Sequence, residues 1–393
     1  MDRMGNTHAM GSDNIHNDQK AELLPSAVSL FSGIGGLDLG LIAVGSRIRV
    51  SIDHSHDALL VHDHLTHTPS LEADLSTFSA PAFDVDVVVG GPPCTAFSHA
   101  GYWIERKRNG TDAETGRIHD FSRIVNEIRP QLFVMENVPG LLYKTHRHQL
   151  DRLVQTFRGG GYTVHGPFRA DASHYGVPQK RRRVFIIGTR SSREFHFPPP
   201  LTHDSPRSAG WAFQGLDDEN CPAERGEQIP IKYADLLKEV PPGGNYLHFT
   251  EQRGHPYPRF KWRSKYWSFL LKIDPNLPSP TVPATRVTYN GPFHWDNRHL
   301  RYRERCRLQT LPDHTCPIDV GPASYHVGNA VPALLSAHIM AACVEYLSGS
   351  LSADTRELLE AATYSHEYEP INQLFRSEVS TWTPQTKMQT AIA

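Results

Sequence analysis

The chain has 393 residues, 39% hydrophobic and 21% charged, which is enough for one large domain or two moderate ones around a proper core. Its 40 lysines and arginines nearly balance 42 aspartates and glutamates, so the net charge of -2 gives no overall attraction to nucleic acid. No apolar run reaches the roughly 18 residues of a membrane span, and five scattered cysteines without a Cys-x-x-Cys argue against a disulfide framework or zinc ribbon and for reduced thiols in the cytoplasm.

Residues 1–24 read as a polar tail with no apolar signal core. From 25 to 190 short runs rich in β-branched or aromatic residues alternate with helical patterns. Strands are expected at Ala27–Phe31, Ile48–Ile52, Asp84–Val89, Gln131–Met135 and Val184–Ile187, with a further short one before Asp74. Phe121, Ile124, Val125 and Ile128 fall on one helical face that Pro130 closes. Leu150, Leu153, Val154 and Phe157 repeat the spacing until Gly159 to Gly161 stop it. Such alternation implies a mostly parallel sheet with helices on both faces. Residues 191–285, opened by Pro198-Pro199-Pro200, lose this periodicity and read as a second, smaller domain. Helical signals return at 300–310 and 332–347, and residues 349–393 are polar and expected to be peripheral.

Chemistry collects at the strand ends, where open parallel sheets bind ligands. The glycine-rich SLFSGIGGLDLGL (29–41) follows the first strand, Asp53 the second, Pro92-Pro93-Cys94 the DVDVVV strand, and Glu136 the QLFVM strand. Glycines let the backbone approach a cofactor closely, and a carboxylate 20 residues after Gly33 suits a ribose diol. A nicotinamide is an alternative, although Asp38 stands at the third glycine position of G-x-G-x-x-G. Cys94 alone reads more readily as a small buried hydrophobe than as a nucleophile; its place behind two stiff prolines at a strand end shifts the balance towards a nucleophile. Basic clusters occur at 105–108, 180–183, 259–265 and 297–307, each either a phosphate-facing stripe or a solvated face. His54, His56, His62, His64 and His67 are expected as solvated helix residues, with no metal site.

Taken together, SLFSGIGGLDLGL (29–41), GGPPCTAFSHAG (90–101), MENVPGLL (135–142), YGVPQKRRRVFIIG (175–188), NRHLRYRERCRLQTLPD (297–313) and VGNAVP (327–332) resemble, in order along the chain, the motifs of the DNA (cytosine-5) methyltransferases of bacterial restriction-modification systems. One departure is Thr95, where many members carry Gln. The resemblance implies a Rossmann-like α/β sheet that binds S-adenosylmethionine, with a smaller inserted target-recognition domain. The catalytic domain would comprise 25–190 and 286–348, and the recognition domain 191–285. The implied reaction is methyl transfer to carbon 5 of a cytosine flipped out of double-stranded DNA at a short specific sequence.

In that reading Cys94 adds to carbon 6, Glu136 serves ring nitrogen 3, and Arg183 with Arg181 holds the base carbonyl. Phe31, Ser32, Gly33, Ile34, Gly36, Asp53, Asp74, Leu75, Pro93, Asn329 and Val331 would surround the cofactor, with Asp53 on the ribose and Asp74 at the adenine. Segment 99–117 would close over the flipped base. Arg259, Lys261 and Arg263 are expected to line one face of a strand opposite Phe260 and Trp262, reading DNA together with Thr281. A monomer is expected, with a separately acting restriction endonuclease as a candidate partner. A non-catalytic DNA-binding regulator is disfavoured by the intact Cys94, Glu136, Arg181 and Arg183. A tRNA-directed relative is disfavoured because no Cys-Phe-Thr tripeptide is present.

Overall fold

β-Branched residues at alternating positions drive the central sheet, which can bury both faces because helices cover each side. The computed structural model describes residues 24–93, 113–263, 266–313 and 326–376, and side chains of the third helix from 116 onward. Seven strands, β1 (Ser26–Leu30), β2 (Arg47–Asp53), β3 (Ser70–Glu72), β4 (Val87–Gly90), β5 (Leu132–Asn137), β6 (Thr163–Asp171) and β7 (Arg182–Thr189), lie in the order β3-β2-β1-β4-β5-β7-β6. The first five are parallel, and β7 runs antiparallel to both neighbours. Every strand expected between 25 and 190 is present within a few residues. β6 is an addition to them: its Gly166-Pro167 pair sits at a break in register, and it is a polar strand at the sheet edge, where a proline is tolerated.

The two faces divide the core by alternation. Val87, Val89, Leu132, Val134, Phe185 and Ile187 point to one side, where helices α1 (Gly36–Ala43) and α7 (Ala333–Ser348) pack. Val28, Leu30, Val50, Ile52, Val88, Phe133 and Met135 point to the other. There, α3 (Ala113–Ile128) and α4 (Arg147–Gly159) supply Phe121 and Phe157, and Phe133 stacks on Phe157 with ring centroids 4.1 Å apart. Helix α2 (His56–Thr66) follows β2; its Ser55 cap accepts from the Ala58 amide.

A separate small core gathers Ile229, Leu237, Val240, Tyr246, Phe249, Leu270 and Phe293 around α5 (Ile231–Glu239). Phe195, Trp211, Phe213 and Val282, within the expected second domain, instead join the main core. The segment expected to be peripheral after 349 also needs correcting in its described part. Helices α8 (Ala353–Tyr364) and α9 (Glu369–Leu374) bury Leu359, Ile371, Leu374 and Phe375 in that same main core. Among the described residues no helix is long and apolar enough to cross a membrane.

Candidate active site

The loop after β1 is held in a conformation that only a few residues tolerate. Phe31 has φ 52°, Gly33 φ 55° and Gly35 φ 87°, all in the left-handed region. Asp53, at the end of β2, fixes this turn: its carboxylate accepts the Gly33 amide at 2.9 Å and the Ser55 amide at 2.9 Å. Among the described residues, a β-carbon on Gly33 would meet nothing within 4 Å, and the buried Ser32 hydroxyl has no hydrogen-bond partner. Ile34 turns inward into the main core. Gly36 abuts the far end of the chain: a β-carbon there would lie 2.3 Å from the Val331 carbonyl. Val331 is buried and Asn329 exposed, and the Ser336 hydroxyl donates to the Leu37 carbonyl. The GNAVP segment thus closes against the glycine loop.

Beside this loop an open cleft is lined by Phe31, His54, Ala73, Asp74, Leu75, Pro93 and Arg117. Asp74 Oδ1 accepts from the Ser76 amide (2.9 Å), the Ser76 hydroxyl (2.8 Å) and Arg117 (2.7 Å). Those hydrogen bonds, from Ser76 first and then Arg117, hold its carboxyl down at about 2. The residue types suit an adenosyl cofactor: an aromatic and two aliphatic walls, an ionised acceptor, and an unsatisfied hydroxyl at the glycine loop.

At the end of β5, Glu136 is 8% exposed and pairs with Phe185 of β7, so Arg183, two residues away on β7, is its diagonal neighbour on the same face. Arg183 Nε lies 2.6 Å from Glu136 Oε1. Burial raises the Glu136 pKa, and the charges of Arg183 and then Arg181 offset only part of this. Arg181, 1% exposed, donates to the Val282 carbonyl (3.2 Å) and the Gly328 carbonyl (2.8 Å), so it also braces these two segments against the site.

Two further residues, to which sequence reasoning assigns no role, also shape the site. Asn137 donates to the Pro92 carbonyl at 3.2 Å and steadies the Pro-Pro approach. Gln179, fully buried, donates to the Leu308 carbonyl and accepts the Val282 amide. Both stand inside recognisable motifs, and an amide side chain flanking a charged motif is the signal that could have found them.

Cys94 lies outside the described residues, as do 95–112, which hold most of the expected closing segment and the 105–108 cluster. The described cysteines make poor nucleophiles: Cys221, Cys306 and Cys343 are buried, and burial pushes the Cys221 thiol up to about 11 and that of Cys343 higher still.

Around 257–267 no strand forms among the described residues, against expectation. Arg259, Lys261 and Arg263 are exposed along an irregular segment. Phe260 packs on the small core, but Trp262 is 54% exposed and Tyr257 77%. Thr281, also exposed, donates its hydroxyl to the Lys180 carbonyl. The 297–307 cluster, which includes helix α6 (Tyr302–Leu308), is largely internal. Arg298 grips Glu304 with two bonds (2.9 and 2.7 Å), Arg301 binds Glu227 (2.9 Å) and Asp218 (2.7 Å), and Arg307 binds Asp313 (2.5 Å). His62 departs from the solvated set: it is fully buried, with Asp38 at 3.3 Å and Asp63 at 3.4 Å. Among the described residues, no three His, Cys, Asp or Glu side chains converge to hold a metal ion.

The model of the C-5 cytosine-specific DNA methylase family matches residues 26–345. Type II methyltransferase M.SacI of Streptomyces achromogenes is 39% identical over 368 residues, covering 81% of this chain and 93% of that protein. Type II methyltransferase M.NgoFVII of Neisseria gonorrhoeae is 31% identical over 337 residues, covering 82% and 87%. The solved structure of methyltransferase EhMeth of Entamoeba histolytica superposes with a TM-score of 0.59 at 12% identity over 82% of this chain and 99% of that one, a likeness of fold. The chain belongs to the C-5 cytosine-specific DNA methylase family and is a DNA (cytosine-5) methyltransferase.

Proposed function

We propose that the protein transfers a methyl group from S-adenosylmethionine to carbon 5 of a cytosine flipped out of a short specific sequence in duplex DNA, as the modification enzyme of a restriction system. The observation that carries this reading is the buried Glu136–Arg183 pair beside the Pro92-Pro93 approach to Cys94, across the sheet edge from a glycine loop with an unsatisfied Ser32 hydroxyl. Flipping is required because carbon 5 and carbon 6 are out of reach in a stacked duplex, and unstacking costs a few kcal/mol.

In this mechanism the Cys94 thiolate adds to carbon 6 while Glu136 delivers or shares a proton at nitrogen 3, so the ring electrons move onto carbon 5. Arg183 holds Glu136 in place and faces the base carbonyl, where negative charge is best stabilised. Bound S-adenosylmethionine supplies a methyl group activated by its sulfonium. With that methyl on carbon 5 and S-adenosylhomocysteine as the leaving group, loss of the carbon 5 proton to solvent, return of the nitrogen 3 proton to Glu136 and departure of the Cys94 sulfur as thiolate would restore the aromatic ring. On the cofactor side Phe31, Leu75 and Pro93 pack the purine, and Ser32, Gly33, Ile34 and Gly36 shape the loop at the methionine end. Asp53 meets the ribose and Asp74 the adenine amine; Asn329 and Val331 close the pocket from the C-terminal side. Arg259, Lys261, Arg263 and Thr281 meet the DNA.

One target base needs one site, so the enzyme acts as a cytoplasmic monomer, with a restriction endonuclease working separately. A Cys94→Ala protein is expected to bind duplex DNA and S-adenosylhomocysteine as the wild type does, with methyl transfer abolished. Undiminished transfer by that variant would overturn the mechanism.

A further inference from the structure

Arg117 belongs to no motif and stands at the last position of the segment expected to close over the flipped base, yet its side chain forms part of the cleft wall with Phe31, Pro93, Leu75 and Asp74. It stands in the first turns of α3, 2.7 Å from Asp74 Oδ1 and 3.5 Å from Asp120. An exposed ion pair would carry little weight by itself. Here the geometry adds to it: all three hydrogen bonds to the Asp74 carboxylate, two from Ser76 and one from Arg117, fall on the same oxygen, Oδ1. A carboxylate with one oxygen tied down from two directions cannot rotate freely. Its other oxygen, Oδ2, is then presented in a fixed direction as an ionised, acceptor-only group. A purine with a 6-amino group donates to such an oxygen. A purine with a 6-oxo group meets it acceptor to acceptor and is repelled.

We propose that Arg117 is a positioning residue that fixes Asp74 to recognise the 6-amino group of the cofactor's purine, and so sets the enzyme's preference for an adenosyl over an inosyl ligand. The inference rests on the S-adenosylmethionine reading and deepens it: the cleft takes a purine by its exocyclic amine, and Arg117 acts through Asp74.

Binding of S-adenosylhomocysteine and S-inosylhomocysteine, measured by titration calorimetry on the full chain, tests this without turnover. The wild type is expected to favour the adenosyl compound roughly 10- to 100-fold, the span of a charge-assisted hydrogen bond. Arg117→Met is expected to weaken S-adenosylhomocysteine about tenfold while leaving S-inosylhomocysteine within about twofold, so that the preference collapses. Arg117→Lys, which keeps the charge, should restore part of it. In an Asp74→Ala background Arg117→Met should have no further effect on the preference, because the residue acts through that carboxylate. Thermal melts of each variant separate this from loss of fold. Equal weakening of both ligands, or an unchanged preference in a folded Arg117→Met protein, would overturn the proposal. Failure of the wild type to bind S-adenosylhomocysteine would instead refute the cofactor assignment beneath it.

Discussion

Glu136 and Arg183 show what a single strand register can settle. Because β5 and β7 are antiparallel with Glu136 opposite Phe185, the residue two positions before Phe185 is brought diagonally onto the carboxylate. Glu136→Gln keeps the shape and removes the titrating proton; it is expected to lower kcat by about 10²- to 10⁴-fold, the usual worth of a positioned acid, with S-adenosylhomocysteine affinity unchanged. Steady-state kinetics with calorimetry would check it, and a variant with wild-type kcat would remove Glu136 from the chemistry. Glu136 is legible in the sequence because a carboxylate directly after an apolar strand has few bland explanations. The division of labour between Arg181 and Arg183 is not. The two stand in one short basic motif, and the carbonyls that Arg181 braces, those of Val282 and Gly328, lie 101 and 147 residues further on.

Among the elements, α2 carries the largest surprise. Its histidines look solvated because imidazole counts as polar in any periodicity, yet His62 is buried between α1 and α2, flanked by Asp38 and Asp63 and bonded to Thr66. Asp38 also accepts from Ser29 at 2.9 Å and from Ser51, so one buried carboxylate ties β1, β2 and α2 beneath the glycine loop. Burial by itself would lower the His62 pKa, but hydrogen bonds and charge from Asp38 and Asp63 outweigh it and raise the value to about 9. A histidine stabilised in its charged form contributes fully below its unfolded pKa of about 6.5, and that contribution disappears as pH rises through about 9. Urea unfolding should therefore show stability falling between about pH 6.5 and 10 in the wild type. His62→Gln should start about 3–5 kcal/mol lower, since two buried carboxylates lose the cation between them, and lack that part of the decline. Equal stability of the two proteins at about pH 6 would refute the buried pair. The other elements are readable to within a few residues wherever apolar spacing is strong. β6 is not, because an edge strand has little need of an apolar face.

On the scale of the molecule, charge is placed rather than accumulated. The four arginines Arg298, Arg301, Arg305 and Arg307 are all buried and engaged with carboxylates or carbonyls, whereas Arg259, Lys261 and Arg263 stand in the open on the small lobe. Sequence clustering cannot separate the two, because the carboxylates that neutralise a basic run come from distant residues such as Glu227 and Asp218. The Arg259→Ala/Lys261→Ala/Arg263→Ala protein is expected to bind duplex DNA more weakly and with a shallower salt dependence. The slope of log K against log salt should fall by roughly one for each phosphate that is no longer neutralised. An unchanged slope would take these residues off the DNA-facing surface. Arg181 works at the same scale from inside, joining the carboxyl edge of the sheet to the exit of the small lobe at Val282 and to the C-terminal return at Gly328.

The most direct test of the whole account is transfer of labelled methyl from S-adenosylmethionine to unmethylated genomic DNA, followed by mapping of 5-methylcytosine at base resolution. 5-Methylcytosine is expected at one short recurrent sequence, and none with the Cys94→Ala protein. Absence of label in DNA from a wild-type protein that binds the cofactor, or label on a base other than cytosine, would contradict it.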